Sequence, residues 1–115
     1  MVPRDTGKAG ENLAKQYLTN LGYAFLDSNY RTAYGEIDLI YMDGPALVFV
    51  EVKTRVKDAG EIEFSIDKRK ANRILKSAEI YITNSGLEFK EIRVDALFVV
   101  MTDGGPVFKH LKSFY

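Results

Sequence analysis

Residues Gly35 to Arg55, GEIDLIYMDGPALVFVEVKTR, constrain the fold of this chain more than any other stretch. Two apolar-rich runs flank Asp43-Gly44-Pro45, a turn signal in which Gly admits unusual φ and Pro fixes φ and removes a donor. The reading is a β-hairpin. Acids nevertheless stand where a packed sheet should be apolar. Glu36 and Asp38 lie among Ile37, Leu39 and Ile40, and Glu51-Val52-Lys53 follows the apolar run Ala46–Val50.

A four-residue loop between Met42 and Leu47 sets a register with Asp38 opposite Glu51 and Glu36 opposite Lys53. Strand side chains alternate faces, so all four would share one face. Directly opposed residues have Cβ atoms roughly 4.5–5.5 Å apart, and two facing carboxylates repel unless a cation lies between them. A hard divalent cation suits the position, because Mg²⁺ is usually held by one or two carboxylates with water and substrate phosphates. A one-residue slip would undo the arrangement by flipping one strand.

The remaining elements follow in order. Thr6 is an N-cap signal before GKAGENLAKQYLTNLG. Ala9, Leu13, Tyr17, Leu18 and Leu21 recur at helical spacing as a core face, and Gly22 is the C-cap. Glu11 falls at the border of that face and makes a surface pair with Lys15 at i+4 in the simplest reading. Tyr23–Tyr30 reads as a strand, Arg31–Tyr34 as a connector and Arg55–Phe64 as a polar loop. A second helix is expected from about Asp67 to Thr83, capped by Ser65 or Asp67. Ala71, Ile74, Leu75, Ala78 and Ile82 form its apolar stripe, with Arg69, Arg73 and Lys76 opposite. Asn84-Ser85-Gly86 ends it. Glu91–Met101 reads as a long strand carrying Arg93 and Asp95 on one face. Asp103-Gly104-Gly105 turns into an edge strand, Pro106–Leu111. The order αβββαββ implies an α/β fold, a mixed sheet flanked by helices.

At 115 residues the chain has the length of one domain, spanning residues 1–115, and 46% hydrophobic residues suffice for a core. It has no cysteine, which removes disulfides and thiolate sites and suits a reducing cytoplasm. The N-terminus lacks an apolar signal region, and no run approaches the ~20 apolar residues of a membrane span. With 16 basic and 16 acidic residues the net charge is zero, so global charge does not argue for nucleic acid. Local charge is less even: Lys68, Arg69, Lys70, Arg73 and Lys76 crowd one segment, and Arg55 follows the central strand. That helix stripe is either a solvated surface or a set of phosphate contacts, which steer binding and carry no sequence information.

Asp38, Glu51 and Lys53 are the sharpest chemical signal. Two acids for a metal and a nearby cation are what phosphodiester hydrolysis needs: the metal polarises the phosphate and lowers the pKa of bound water. The lysine orients that water and stabilises charge developing on the phosphate. The Val52 carbonyl is a further oxygen ligand in this reading, and Glu36 assists from the same face. The alternative is a cross-strand salt-bridge cluster. Elsewhere, the lone histidine, His110, reads as a surface residue, and no nucleophile motif, P-loop or dinucleotide fingerprint is present. Tyr30, Tyr34 and Tyr41 either stack on bases or pack locally.

The set GENLAKQYL, GYAFLDSNYR, GEIDLIYMDG and LVFVEVKTR resembles the bacterial YraN-like proteins, which are similar to archaeal Holliday junction resolvases of the PD-(D/E)xK nuclease superfamily. The resemblance covers nearly the whole chain and is strongest over residues 7–55. It implies a restriction-endonuclease-like αβββαβ core and a metal-dependent endonuclease using Mg²⁺ or Mn²⁺ on DNA, on branched or repair intermediates. Asp38, Glu51 and Lys53 match the motif, and Glu11 matches a helix-one glutamate at the metal site. Arg55, Lys68, Arg69, Arg73 and Lys76 would touch backbone phosphates. Resolvases act as dimers, and the edge Pro106–Leu111 is a place for a second copy's strand to add, giving a homodimer. A catalytically silent nucleic-acid-binding or partner-docking module on the same fold is the alternative.

Overall fold

The computed structural model describes residues 6–57 and 64–115. Its elements are α1 (Thr6–Asn20), β1 (Ala24–Thr32), β2 (Gly35–Asp43), β3 (Ala46–Val56), α2 (Lys68–Ser85), β4 (Glu91–Thr102) and β5 (Gly105–Leu111). The first six follow the αβββαβ order of a restriction-endonuclease-like core, and β5 adds an edge.

The sheet order is β1-β2-β3-β4-β5, antiparallel throughout except for the parallel β3–β4 pair. Parallel neighbours need a crossover, which α2 supplies. One helix covers each face. On one side Ala14 and Leu18 of α1 pack against Leu39, Tyr41, Val48, Val50, Leu97 and Val99. On the other, Ile74 and Ala78 of α2 meet Ile37, Ile40, Leu47, Phe49 and Val94. The central run Ala46–Val50 is buried on both faces, which is why it reads as continuously apolar rather than alternating.

α1 is rotated from the expected face. Ala9 and Leu21 are exposed, whereas Gly10, Ala14 and Leu18 point inward at i, i+4 and i+8. Gly10 explains the rotation: a Cβ there would overlap Oγ1 of Thr54 on β3. Glycine alone lets the first helical turn come this close to the strand. The side chain of Thr6 lies outside the described residues. The helix ends in a Schellman motif, with Tyr23 N–H donating to the Leu18 carbonyl, Gly22 N–H to that of Thr19, and Gly22 at φ 92°.

Most boundaries shift little. β1 runs on through Arg31 and Thr32, leaving a two-residue turn where a longer connector was expected, and β3 absorbs Arg55 and Val56 from the expected loop. Of that loop, residues 58–63 lie outside the described residues. Asp67 is the α2 cap, its carboxylate accepting from Arg69 N–H at 2.7 Å, and Gly86 closes the helix in the left-handed conformation. No helix among the described residues is long and apolar enough to cross a membrane.

Candidate active site

The hairpin has the expected register, but the ladder runs on through Asp43 and Ala46, so the turn is only Gly44-Pro45. At the other end the pairing stops at Leu39–Val50. Beyond it β2 stays with β1, and β3 stays with β4 through Val56. The sheet therefore forks just where Asp38 and Glu51 would have faced one another.

Asn29 accompanies the fork. It lies opposite Asp38, between the pairs Ser28–Leu39 and Tyr30–Ile37, and has φ 52°. Asn tolerates this left-handed conformation better than most residues. Alternation breaks here: Leu39 packs with the α1 cluster, yet Ile37 packs with the α2 cluster. Asp38, between them, turns edgewise towards β3 and takes up the hydrogen bond that the strand has lost, accepting from Val52 N–H at 2.8 Å. Its position at the fork lets it line two clefts. One, of about 400 Å³, lies on the α1 side with Gly7, Glu11, Val52, Lys53 and Thr54. The other, of about 630 Å³, lies on the α2 side with Glu36, Lys70, Arg73 and the β1–β2 turn.

Glu51 is 2% exposed and holds two cations on one oxygen: Lys70 Nζ at 2.8 Å and Lys53 Nζ at 3.5 Å. Burial, then the neighbouring charge of Glu51, pushes the Asp38 carboxyl up to about 7, against the opposing pull of Val52 N–H and Lys70. Lys53 is pulled below the usual lysine value, chiefly by burial. Lys70 goes the other way: burial lowers it, but the hydrogen bond and charge of Glu51 more than offset this.

Glu36 is not opposite Lys53. Across β1 it pairs with Arg31 at 3.3 Å, and it accepts from Asn29 Nδ2 at 2.8 Å. The same amide donates to Glu11 at 3.1 Å. Glu11 thus uses Asn29 rather than Lys15, whose ammonium lies 5.7 Å from the Phe25 ring centroid. Among the expected phosphate-contacting residues, Lys68, Arg69, Arg73 and Lys76 are exposed on α2. Arg55 differs, bonded to the Thr54 carbonyl and lying 5.9 Å from the Phe98 ring centroid.

Two members of the site escaped the sequence reading. Asn29 carried a faint signal, a turn-favouring residue inside the strand DSNY. Lys70 was counted only as one of a run of cations. Its signal was its spacing: it sits one turn before Ile74 and so on the inward side of α2. His110 was misread. Its side chain is 6% exposed and its Nε2 lies 2.8 Å from Asp95 Oδ2, because β5 brings it alongside β4.

Among the described residues, no group of three or more His, Cys, Asp or Glu side chains is gathered as an ion cage. The donor set still fits a hard divalent cation that keeps most of its water. Two acids and the neighbouring Val52 supply only oxygen ligands, and the convergence of two ammonium groups on Glu51 marks a place where positive charge is favoured.

Residues 10–99 match the model of the family described as "Uncharacterised protein family UPF0102". The chain belongs to that family. It is 43% identical over 108 residues to a UPF0102 protein of Dictyoglomus turgidum, covering 93% of this chain and 92% of the relative. A UPF0102 protein of Syntrophomonas wolfei is 38% identical over 109 residues, covering 94% and 95%. One from a Sulfurihydrogenibium species is 42% identical over 108 residues, covering 93% and 90%. This UPF0102 chain therefore matches those relatives over nearly their whole length.

Proposed function

We propose that this UPF0102 protein is a metal-dependent endonuclease of the PD-(D/E)xK kind that hydrolyses phosphodiester bonds in DNA. The observation that carries the reading is the fork at Asp38. There Asp38 lines two clefts, one with Glu11 and Lys53 and the other with Lys70, and the buried Glu51 beneath them binds both lysines.

Asp38 and Glu51 would hold Mg²⁺ or Mn²⁺, with the Val52 carbonyl beside them and Glu11 reaching through water. When bound, the cation supplies Lewis acidity towards the phosphate. The chain's own residues do the rest. Val52 N–H fixes one Asp38 oxygen and leaves the other to bind. Lys53, its proton made easier to lose by burial, positions the attacking water and meets the developing charge. Lys70 neutralises Glu51 in the resting site and swings towards the phosphate. Asn29 keeps Glu11 and Glu36 oriented. Lys68, Arg69, Arg73 and Lys76 steer the backbone, while Arg55 braces the site from β3. The cysteine-free chain suits work in the cytoplasm, and β5 offers an edge for a homodimer.

Labelled single-stranded, duplex, flap and four-way-junction DNA, incubated with Mg²⁺ or Mn²⁺, tests the reading. Wild type should cut, and Asp38→Ala and Lys53→Ala should each lose at least about 100-fold in rate, the scale of one charge-stabilising group. Cutting that survives both variants would sink the assigned site. A second reading, a nucleic-acid-binding module without turnover, draws on Lys70 already occupying Glu51. Binding of the same DNAs with no cutting would favour it.

A further inference from the structure

We propose that Tyr34 is a stacking platform for an unpaired base, so that the preferred DNA carries a single-stranded or displaced nucleotide beside the bond to be cut. The proposal deepens the nuclease reading and rests on it.

The structure separates three tyrosines that the sequence left equivalent. Tyr41 is fully buried. Tyr30 packs edge-on against Tyr81, with ring centroids 5.0 Å apart. Tyr34 remains 49% exposed at the tip of the β1–β2 turn. An aromatic ring left in water has gained little from folding, and it is available to a ligand.

Its backbone is tightly held. Tyr34 N–H donates to Thr32 Oγ1 at 3.1 Å, and that hydroxyl shares a 2.7 Å hydrogen bond with the fully buried Ser77 of α2. The turn is thus tied to the helix, and the ring is presented in place before anything binds. Preorganisation of this kind lowers the ordering cost of association. Lys76 supports the ring, its ammonium 5.2 Å from the centroid, where it also offers charge to the phosphate next to a stacked base.

Tyr34 lines the same cleft as Asp38, Lys70 and Arg73. It is four positions before Asp38 in the chain, so the two lie no more than about 14 Å apart even with fully extended backbone. A short stretch of one DNA strand can therefore reach from the platform to the proposed cutting site. Bases inside a duplex are already stacked on their neighbours and cannot use such a ring. Stacking is tolerant of sequence because every base has a π-face. The inferred selectivity is accordingly for structure.

The test is fluorescence anisotropy of a labelled DNA single strand and of a blunt duplex of equal length, without divalent metal and at one fixed salt concentration. Wild type is compared with Tyr34→Leu and Tyr34→Phe, both at an exposed turn position. Tyr34→Leu should weaken single-strand binding by roughly 5- to 150-fold, the range for loss of one stacked base, and duplex binding by less than about twofold. Tyr34→Phe should bind as wild type does. In the same assay Lys76→Met should reduce the single-strand salt slope by about one phosphate contact. Unchanged single-strand affinity in Tyr34→Leu, or equal losses on both DNAs, would overturn the platform. If wild type still cut DNA in an Asp38- and Lys53-dependent way, the nuclease reading would survive that failure. Wild type that binds neither DNA would overturn both.

Discussion

A buried acid and a half-buried one flank Val50 of β3, and the fold treats them in opposite ways. Asp95, paired with Val50 across the β3–β4 ladder, is fully satisfied. Arg93 Nε meets it at 2.9 Å, His110 Nε2 at 2.8 Å and Ser113 N–H at 3.0 Å. Arg93 continues to Asp43 at 2.9 Å and to the Tyr23 hydroxyl at 2.9 Å. Burial alone would raise the Asp95 carboxyl, but hydrogen bonds from His110 and Arg93 hold it below the ordinary value. Asp38 lies on the other side, where Leu39 pairs with Val50. It receives one backbone N–H and feels the charge of another acid, Glu51. One acid is built into the fold as structure; the other is the acid proposed to hold a cation.

The largest test of this contrast is Asp95→Ala. It removes the buried partner of Arg93, leaving that cation only Asp43 and the Tyr23 hydroxyl, and takes the acceptor from His110 and Ser113 N–H, so it should cost about 3–5 kcal/mol, as breaking a buried pair does. A correspondingly large fall in Tm in scanning calorimetry would show it, and a fall no greater than that of an exposed substitution would break the comparison. Next in size is the effect of metal. Mg²⁺ at a hundredfold excess over its Kd should stabilise wild type by about 2.7 kcal/mol. It should leave the Tm of Asp38→Asn unchanged, and equal shifts in both would place the ion elsewhere.

The third test is the sign of the pH response. Asp38 titrates at about 7 in the fold against 3.8 in the unfolded chain, so its protonated form is the one that folding favours. That contribution is complete below the unfolded value and is lost as pH rises through about 7. Asp95, with its folded value lowered, contributes above 3.8 and loses that contribution as pH falls through its folded value. In chelator, Asp38→Asn should therefore be more stable than wild type at about pH 8, by at least about 1.4 kcal/mol, the worth of one pKa unit, with the gain vanishing near pH 4. Denaturant midpoints at the two pH values measure it, and a loss at high pH would contradict the assignment. The smallest effect is expected at the fork. Asn29→Ala should cost about 1 kcal/mol through its left-handed backbone and lost hydrogen bonds, and Asn29→Gly less, since Gly accepts that φ. Urea unfolding separates the two.

The sequence made the central hairpin legible because its register follows from a tight turn between two apolar-rich runs, a local property. The proximity of Asp38, Glu51 and Lys53 followed from it, and the αβββαββ order from the caps, apolar spacing and turns of the other elements. What local pattern could not reveal was the fork. It depends on a left-handed Asn29 in the neighbouring strand and on β3 keeping β4 as its partner, a long-range choice. Glu36 was therefore placed opposite Lys53 when its neighbours are Arg31 and Asn29. Lys70 and His110 were misjudged for a related reason: each is brought inward by an element that packs far from it in sequence. Ala9 and Leu21 were assigned to the core because hydrophobicity was weighed without Gly10, whose missing side chain decides which way α1 faces.

The four residues that meet at the fork come from four elements: Glu11 from α1, Asp38 from β2, Glu51 from β3 and Lys70 from α2. No hairpin, and no single helix with its strand, contains the set. During folding the hairpin can form early from local contacts, whereas the parallel β3–β4 pair must wait for the α2 crossover to close a long loop. The constellation is complete only when that slow, non-local step is over. A nascent or partly denatured chain would carry the separate pieces apart, so the folding topology itself would act as a latency device for the proposed site.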